Sequence, residues 1–199
     1  MKNARRFTLV ELLAVVALIA ILSAIGFGSY SYAMGRAKES STQALLKQLE
    51  AGLESFHAKN GYYPQSGGNF SCITVAVAAA DGMVTTVDFG SAAGKLERAT
   101  GNTRADRMKT ELLETFIKAM DVEALKKHLN ASGTIEDAWG GTIYYCAPGR
   151  FNKASFDIIS AGPDGKFGKD GANDPTGITD LAKYRTAAGE AECDDIFNF

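Results

Sequence analysis

The carboxylates of the C-terminal quarter are the residues of this chain best placed to do chemistry. Asp164, Asp170, Asp174, Asp194 and Asp195 fall in a glycine-rich stretch, and from Arg150 to Phe199 nine acidic side chains stand against six basic ones. Flexible, oxygen-rich turns suit a hard cation such as Ca²⁺, which takes about six to eight oxygens from carboxylates, carbonyls and water. The spacing is not that of an EF-hand, and on composition alone a solvated acidic loop is the more ordinary outcome. Three cysteines, Cys72, Cys146 and Cys193, allow three single-bridge connectivities with one thiol left over. Neither His57 nor His128 stands at a metal-ligand spacing from any of them, which argues against a Cys/His metal centre. No G-x-S-x-G, H-E-x-x-H or P-loop pattern occurs, so no nucleophile and base can be paired from sequence. The remaining oddity is Glu11, a lone carboxylate in an apolar run.

These groups must be positioned by a chain of 199 residues, enough for one membrane segment and one domain but not for two enzyme domains. Its net charge of -2 gives no field for holding a polyanion, so no nucleic-acid partner is expected. From Leu12 to Phe27 the sequence has no charge, and with the flanking apolar residues the stretch 7–30 holds about 24 positions, roughly 36 Å of helix against a hydrocarbon core of about 30 Å. Lys2, Arg5 and Arg6 precede it, which predicts a single pass with the N-terminus cytoplasmic and the rest external. Ala37, Ala44, Leu45, Leu49, Leu53 and Phe56 then recur mostly every third or fourth residue, with no proline before Pro64. This predicts one long helix over 7–60, with an amphipathic second half at 31–60, ended by Asn60-Gly61. A cleaved secretory signal is the competing reading, and the length of the apolar run and the helical pattern beyond it favour a retained anchor.

The remainder, 61–199, reads as an external head. Cys72 to Phe89 predicts a hairpin around Asp81-Gly82, with a helix as the alternative because of its alanines. Gly90 to Arg104 reads as a connector, and Asp106 to Asn130 as a helix broken near Asp121. Ile143 to Cys146 and Ala154 to Ser160 read as strands of a small antiparallel sheet covered by the long helix.

The N-terminal run Arg5-Arg6-Phe7-Thr8-Leu9-Val10-Glu11-Leu12-Leu13 resembles the prepilin cleavage and methylation motif of type IV pilins and type II secretion pseudopilins. The resemblance implies that 1–6 is a leader, that a prepilin peptidase cuts between Arg6 and Phe7 and methylates the new amine, and that Glu11 pairs with that amine on a neighbouring subunit during assembly. A carboxylate otherwise costs on the order of 3 kcal/mol within an apolar segment.

Further on, Asp137-Ala138-Trp139-Gly140-Gly141, Ile143-Tyr144-Tyr145, Phe156 to Gly165 and Asp194-Asp195-Ile196 are similar to the major pseudopilin of type II secretion, with Lys169 to Cys193 as an insertion. The stretch 65–136 carries no resemblance. The likeness implies a pilin-like α+β fold and calcium in the C-terminal loop, with Asp164, Asp194 and Asp195 as side-chain ligands and Ser160 through its carbonyl. Asp170 and Asp174 belong to the insertion and are weaker candidates. In an oxidising compartment a Cys146–Cys193 bridge would tie the central strand to the loop before the double aspartate.

The expectation is a non-enzymatic filament subunit in the inner membrane with a periplasmic head. It would form homo-oligomeric filaments with other pilins or pseudopilins and the inner-membrane assembly machinery, in a secretion pseudopilus or on the cell surface. A minor or adhesive pilin and a membrane-anchored extracytoplasmic enzyme are the rivals.

Overall fold

Helix α1 runs Leu9–Asn60, and both of its ends are set by local chemistry. At the start, Glu11 N–H donates to Thr8 Oγ1 at 3.2 Å while Thr8 N–H donates to Glu11 Oε2 at 2.9 Å, a reciprocal capping box. At the end, Gly61 takes φ 78°, a conformation open to glycine without strain, and its N–H donates to His57 O at 2.7 Å. The computed structural model describes residues 8–120, 122–184 and 193–199.

The chain divides into two compact units, Met1–Lys38 and Glu39–Phe199. In the first, the helix keeps its large apolar side chains at its surface. Among the described residues no helix is long and apolar enough to cross a membrane. In the second unit the same helix is one-sided: Leu45, Leu46, Leu49, Leu53 and Phe56 are at most 4% exposed while the charged residues between them face outward. Each such burial stabilises by about 1.5–3 kcal/mol, which holds the helix as part of the head core.

Two antiparallel sheets complete the head. Strands β1 (Ser71–Cys72), β5 (Tyr144–Cys146), β6 (Asp157–Ser160) and β7 (Ile196–Phe197) form one in the order β1-β5-β6-β7. Strands β2 (Thr74–Val77), β3 (Val84–Asp88) and β4 (Leu96–Glu97) form the other in the order β2-β3-β4. The expected hairpin is therefore β2–β3, with Val75 opposite Val87, and its turn is fixed where Asp81 Oδ1 accepts from Met83 N–H at 3.0 Å. The alternative helix is absent because β-branched valines on the inward face give the segment its period of two. Gly90 to Arg104 is more than a connector, since it supplies β4, which pairs with β3.

The expected second helix is α2 (Arg104–Ala119) followed by the short α3 (Val122–Lys126); Asp121, where the break was expected, lies outside the described residues. Thr103 and Asp106 cap α2 in a second capping box. Phe116 of α2 meets Phe56 and Phe89 edge-on, with ring centroids 6.5 and 5.4 Å away, and so joins helix and sheet in one core.

Candidate functional site

Chemistry-bearing residues collect at two separate places. At the N-terminal end, Arg6 and Phe7 lie outside the described residues, so the geometry begins at Thr8. Glu11 is exposed and engaged with Thr8, whose hydroxyl also lies 2.9 Å from its Oε2. Around it, ten large apolar side chains from Leu9 to Leu22 are 52–79% exposed. An apolar surface that continuous marks a face that needs a partner or a lipid phase.

The second place is the C-terminal loop of the head. Asp137, 5% exposed, organises its base: Oδ1 accepts from the N–H groups of Trp139 and Gly141, both at 2.8 Å, and Oδ2 accepts from the Ser160 hydroxyl at 2.6 Å. Ser160 Oγ in turn accepts from Gly162 N–H at 3.2 Å. The Asp137 turn and the loop after β6, apart in sequence, are thus tied by one buried carboxylate. Removing it in Asp137→Ala strands two N–H groups and a hydroxyl, and a stability loss of about 3 kcal/mol is expected in urea unfolding.

Above that base sit the aspartates. Asp194 Oδ2 accepts from Asp164 N–H at 3.2 Å, and Asp195 Oδ2 accepts from Gly168 N–H at 2.5 Å. Asp195 is 7% exposed and, among the described residues, its Oδ1 has no hydrogen-bond partner. Burial pushes its carboxyl pKa up to about 6; hydrogen bonding from Cys193 and from the Gly168 N–H pulls the other way, and the like charges of Asp194 and Asp164 add to the rise. Its neighbour Cys193 is pushed up to about 12, chiefly by burial, and stays a thiol at neutral pH.

Among the described residues no three His, Cys, Asp or Glu side chains converge as a ready-made metal cage. A calcium site does not demand one, because carbonyls and water supply most of its oxygens. The donors present fit that cation: two adjoining carboxylates reach one loop, and a buried carboxylate oxygen is left unsatisfied, which costs free energy until a cation or proton meets it.

The insertion is built into the head. Arg150, which the sequence did not single out, donates to Thr176 O at 2.6 Å, Ile178 O at 3.0 Å and Asn69 Oδ1 at 3.2 Å, with its guanidinium 5.4 Å from the Phe70 ring centre. Asp170 and Asp174 line a cavity of about 510 Å³ within the insertion, with Asp180 and Lys183; Lys183 is paired with Asp170. Tyr184 is fully buried among Phe151, Phe197 and Phe199.

All three cysteines stand as free thiols in this structure, and the Cys146–Cys193 bridge remains an expectation. Both belong to one apolar cluster, but Cys146 Sγ turns to Pro148 O at 3.3 Å and Cys193 Sγ to Tyr184 O at 3.9 Å. His57 is stacked on Tyr63 with ring centroids 4.2 Å apart, in the helix face of the head.

Comparison with protein families gives two matches. The prokaryotic N-terminal methylation motif matches residues 1–27, and protein G of the type II secretion system matches residues 109–178. The second covers Asp137, Ser160 and Asp164, and ends before Asp194 and Asp195. No curated protein and no solved structure matches the chain significantly. The methylation motif at the head of the long helix and the protein G match in the α+β head support a type II secretion pseudopilin or type IV pilin-like protein.

Proposed function

We propose that the chain is a structural filament subunit that assembles through its N-terminal helix and supports protein secretion. The single observation that carries this reading is the exposed apolar surface from Leu9 to Leu22 interrupted only by Glu11. Such a surface is at home in lipid before assembly and against identical helices after it. The stretch 7–30 would anchor the subunit in the inner membrane, the N-terminus cytoplasmic and the head periplasmic. Pseudopilin families are structural and not enzymes, and they assemble with other pseudopilins after the action of a prepilin peptidase. The orphaned Asp195 Oδ1 supports a second element of the reading: the loop bearing Asp164, Asp194 and Asp195 takes Ca²⁺, which supplies the positive charge that three neighbouring carboxylates lack.

Intact mass of the protein purified from its native membrane tests the assembly reading. The family carries glycine before the cut, whereas this chain carries Arg6. The expected mass lacks Met1 to Arg6 and includes one added methyl group. A full-length mass would remove the cationic amine that Glu11 needs and sink the mechanism.

A further inference from the structure

Among the described residues, two buried polar atoms near the C-terminal loop lack hydrogen-bond partners, and they are complementary. One is Asp195 Oδ1, an acceptor; the other is the Tyr184 hydroxyl, a donor. Tyr184 is the aromatic that the insertion drives into the core, and residues on both sides of Asp195 touch it. Cys193 Sγ donates to Tyr184 O, and the Phe197 ring lies edge-on to the Tyr184 ring with centroids 5.7 Å apart. A third link runs through the backbone. Gly168 N–H donates to Asp195 while the adjacent Lys169 N–H donates at 2.9 Å to the carbonyl of Lys183, next to Tyr184. Asp195 and Lys183, the residue before Tyr184, are thus held by the same two-residue segment.

We propose that Tyr184 is a positioning residue of the double-aspartate cation site, its hydroxyl donating to Asp195 and fixing the carboxylate in the orientation a bound cation requires. This rests on the calcium reading above and adds to it that the insertion is part of the site. The physical reason is that a carboxylate ligand must be aimed by something behind it, and neighbours that do this commonly change metal affinity by about 10- to 100-fold. A buried polar atom without a partner is a cost, because it has given up water and gained nothing in return. Cation binding draws Asp195 and Tyr184 into one arrangement, which couples the order of the insertion to the metal.

The test compares wild type with Tyr184→Phe, which keeps the ring and removes only the hydroxyl. Full-length protein in detergent is titrated with CaCl₂ by calorimetry, and its Tm is measured in EDTA. Wild type is expected to bind saturably. The variant is expected to bind about tenfold more weakly, yet to melt a few degrees higher in EDTA, because it no longer buries an unpartnered hydroxyl. Opposite signs in the two readouts are the signature of positioning. Equal affinity in both proteins would overturn the role of Tyr184 and leave the cation site standing. A variant that loses both affinity and EDTA stability would overturn the positioning role, because the hydroxyl would then already have a partner without the cation. Absence of calcium binding in wild type would remove the cation reading itself, and the role of Tyr184 with it.

Discussion

Glu11→Ala is expected to abolish filament assembly while leaving the head folded. In the isolated chain Glu11 does modest work, closing the capping box with Thr8 at the first turn of α1, and losing a cap costs about 1 kcal/mol locally. The head does not depend on that turn, because its core on α1 begins at Thr42 and Leu45. On the proposed reading, the same carboxylate is surrounded by apolar helices in the filament and meets the new amine of a neighbour. Breaking a buried ion pair by removing one partner costs about 3–5 kcal/mol, or roughly 10²- to 4 × 10³-fold per contact, and a filament repeats that loss at every subunit. Two further substitutions separate the roles. Thr8→Val removes the capping hydroxyl and keeps the charge, so filaments should persist. Glu11→Gln keeps an acceptor for the box and loses the charge, so filaments should fail. Filaments would be counted by electron microscopy of sheared cells, and the head followed by its urea midpoint. Normal filaments from Glu11→Gln would refute an ion pair as the register key.

Legibility of the fold followed the length over which each pattern persists. Helix α1 was readable because its periodicity runs for tens of residues and its stop is written as Asn60-Gly61. The β2–β3 hairpin was readable because valines alternate on both sides of Asp81-Gly82. Strands β1, β4 and β7 are two residues each, too short to show a period, and their partners lie far away in sequence, as where Ser71 meets Tyr145. A division of the head into two sheets was therefore out of reach.

At the C-terminal loop the aspartates stood out by composition, but their dependence on Asp137 did not, since a hydrogen bond spanning from Ser160 back to Asp137 leaves no local spacing to read. The insertion looked solvated because polar residues dominate it. Its one aromatic among them, Tyr184, was the available signal that part of it is buried.

Gly162→Ala is expected to release the C-terminal tail from the head, the largest stability effect of any small substitution in the loop. Gly162 sits at φ +66°, where an alanine costs about 1–2 kcal/mol through its own Cβ. Strain alone would be tolerable. A Cβ there would also come within 2.3 Å of the Asp194 carbonyl oxygen and 3.1 Å of its carbon. That obstacle is backbone and cannot swing aside, so the segment bearing Asp194 and Asp195 must move. Movement breaks the Asp164 N–H contact to Asp194, lifts β7 from β6 where Ser160 faces Ile196, and unseats Phe197 and Phe199 from Tyr184. The combined loss should be about 4 kcal/mol. Gly165→Ala is the matched control: its φ is +69°, yet nothing lies within 4 Å of the added carbon, so it carries the strain without the clash. It should cost no more than about 1–2 kcal/mol. Hydrogen exchange at the amides of Ile196 and Asn198 reads the difference, with fast exchange expected for Gly162→Ala and near-native protection for Gly165→Ala. If both variants kept the tail protected, the close approach of the Gly162 loop to Asp194 would not be what holds the double aspartate against the head.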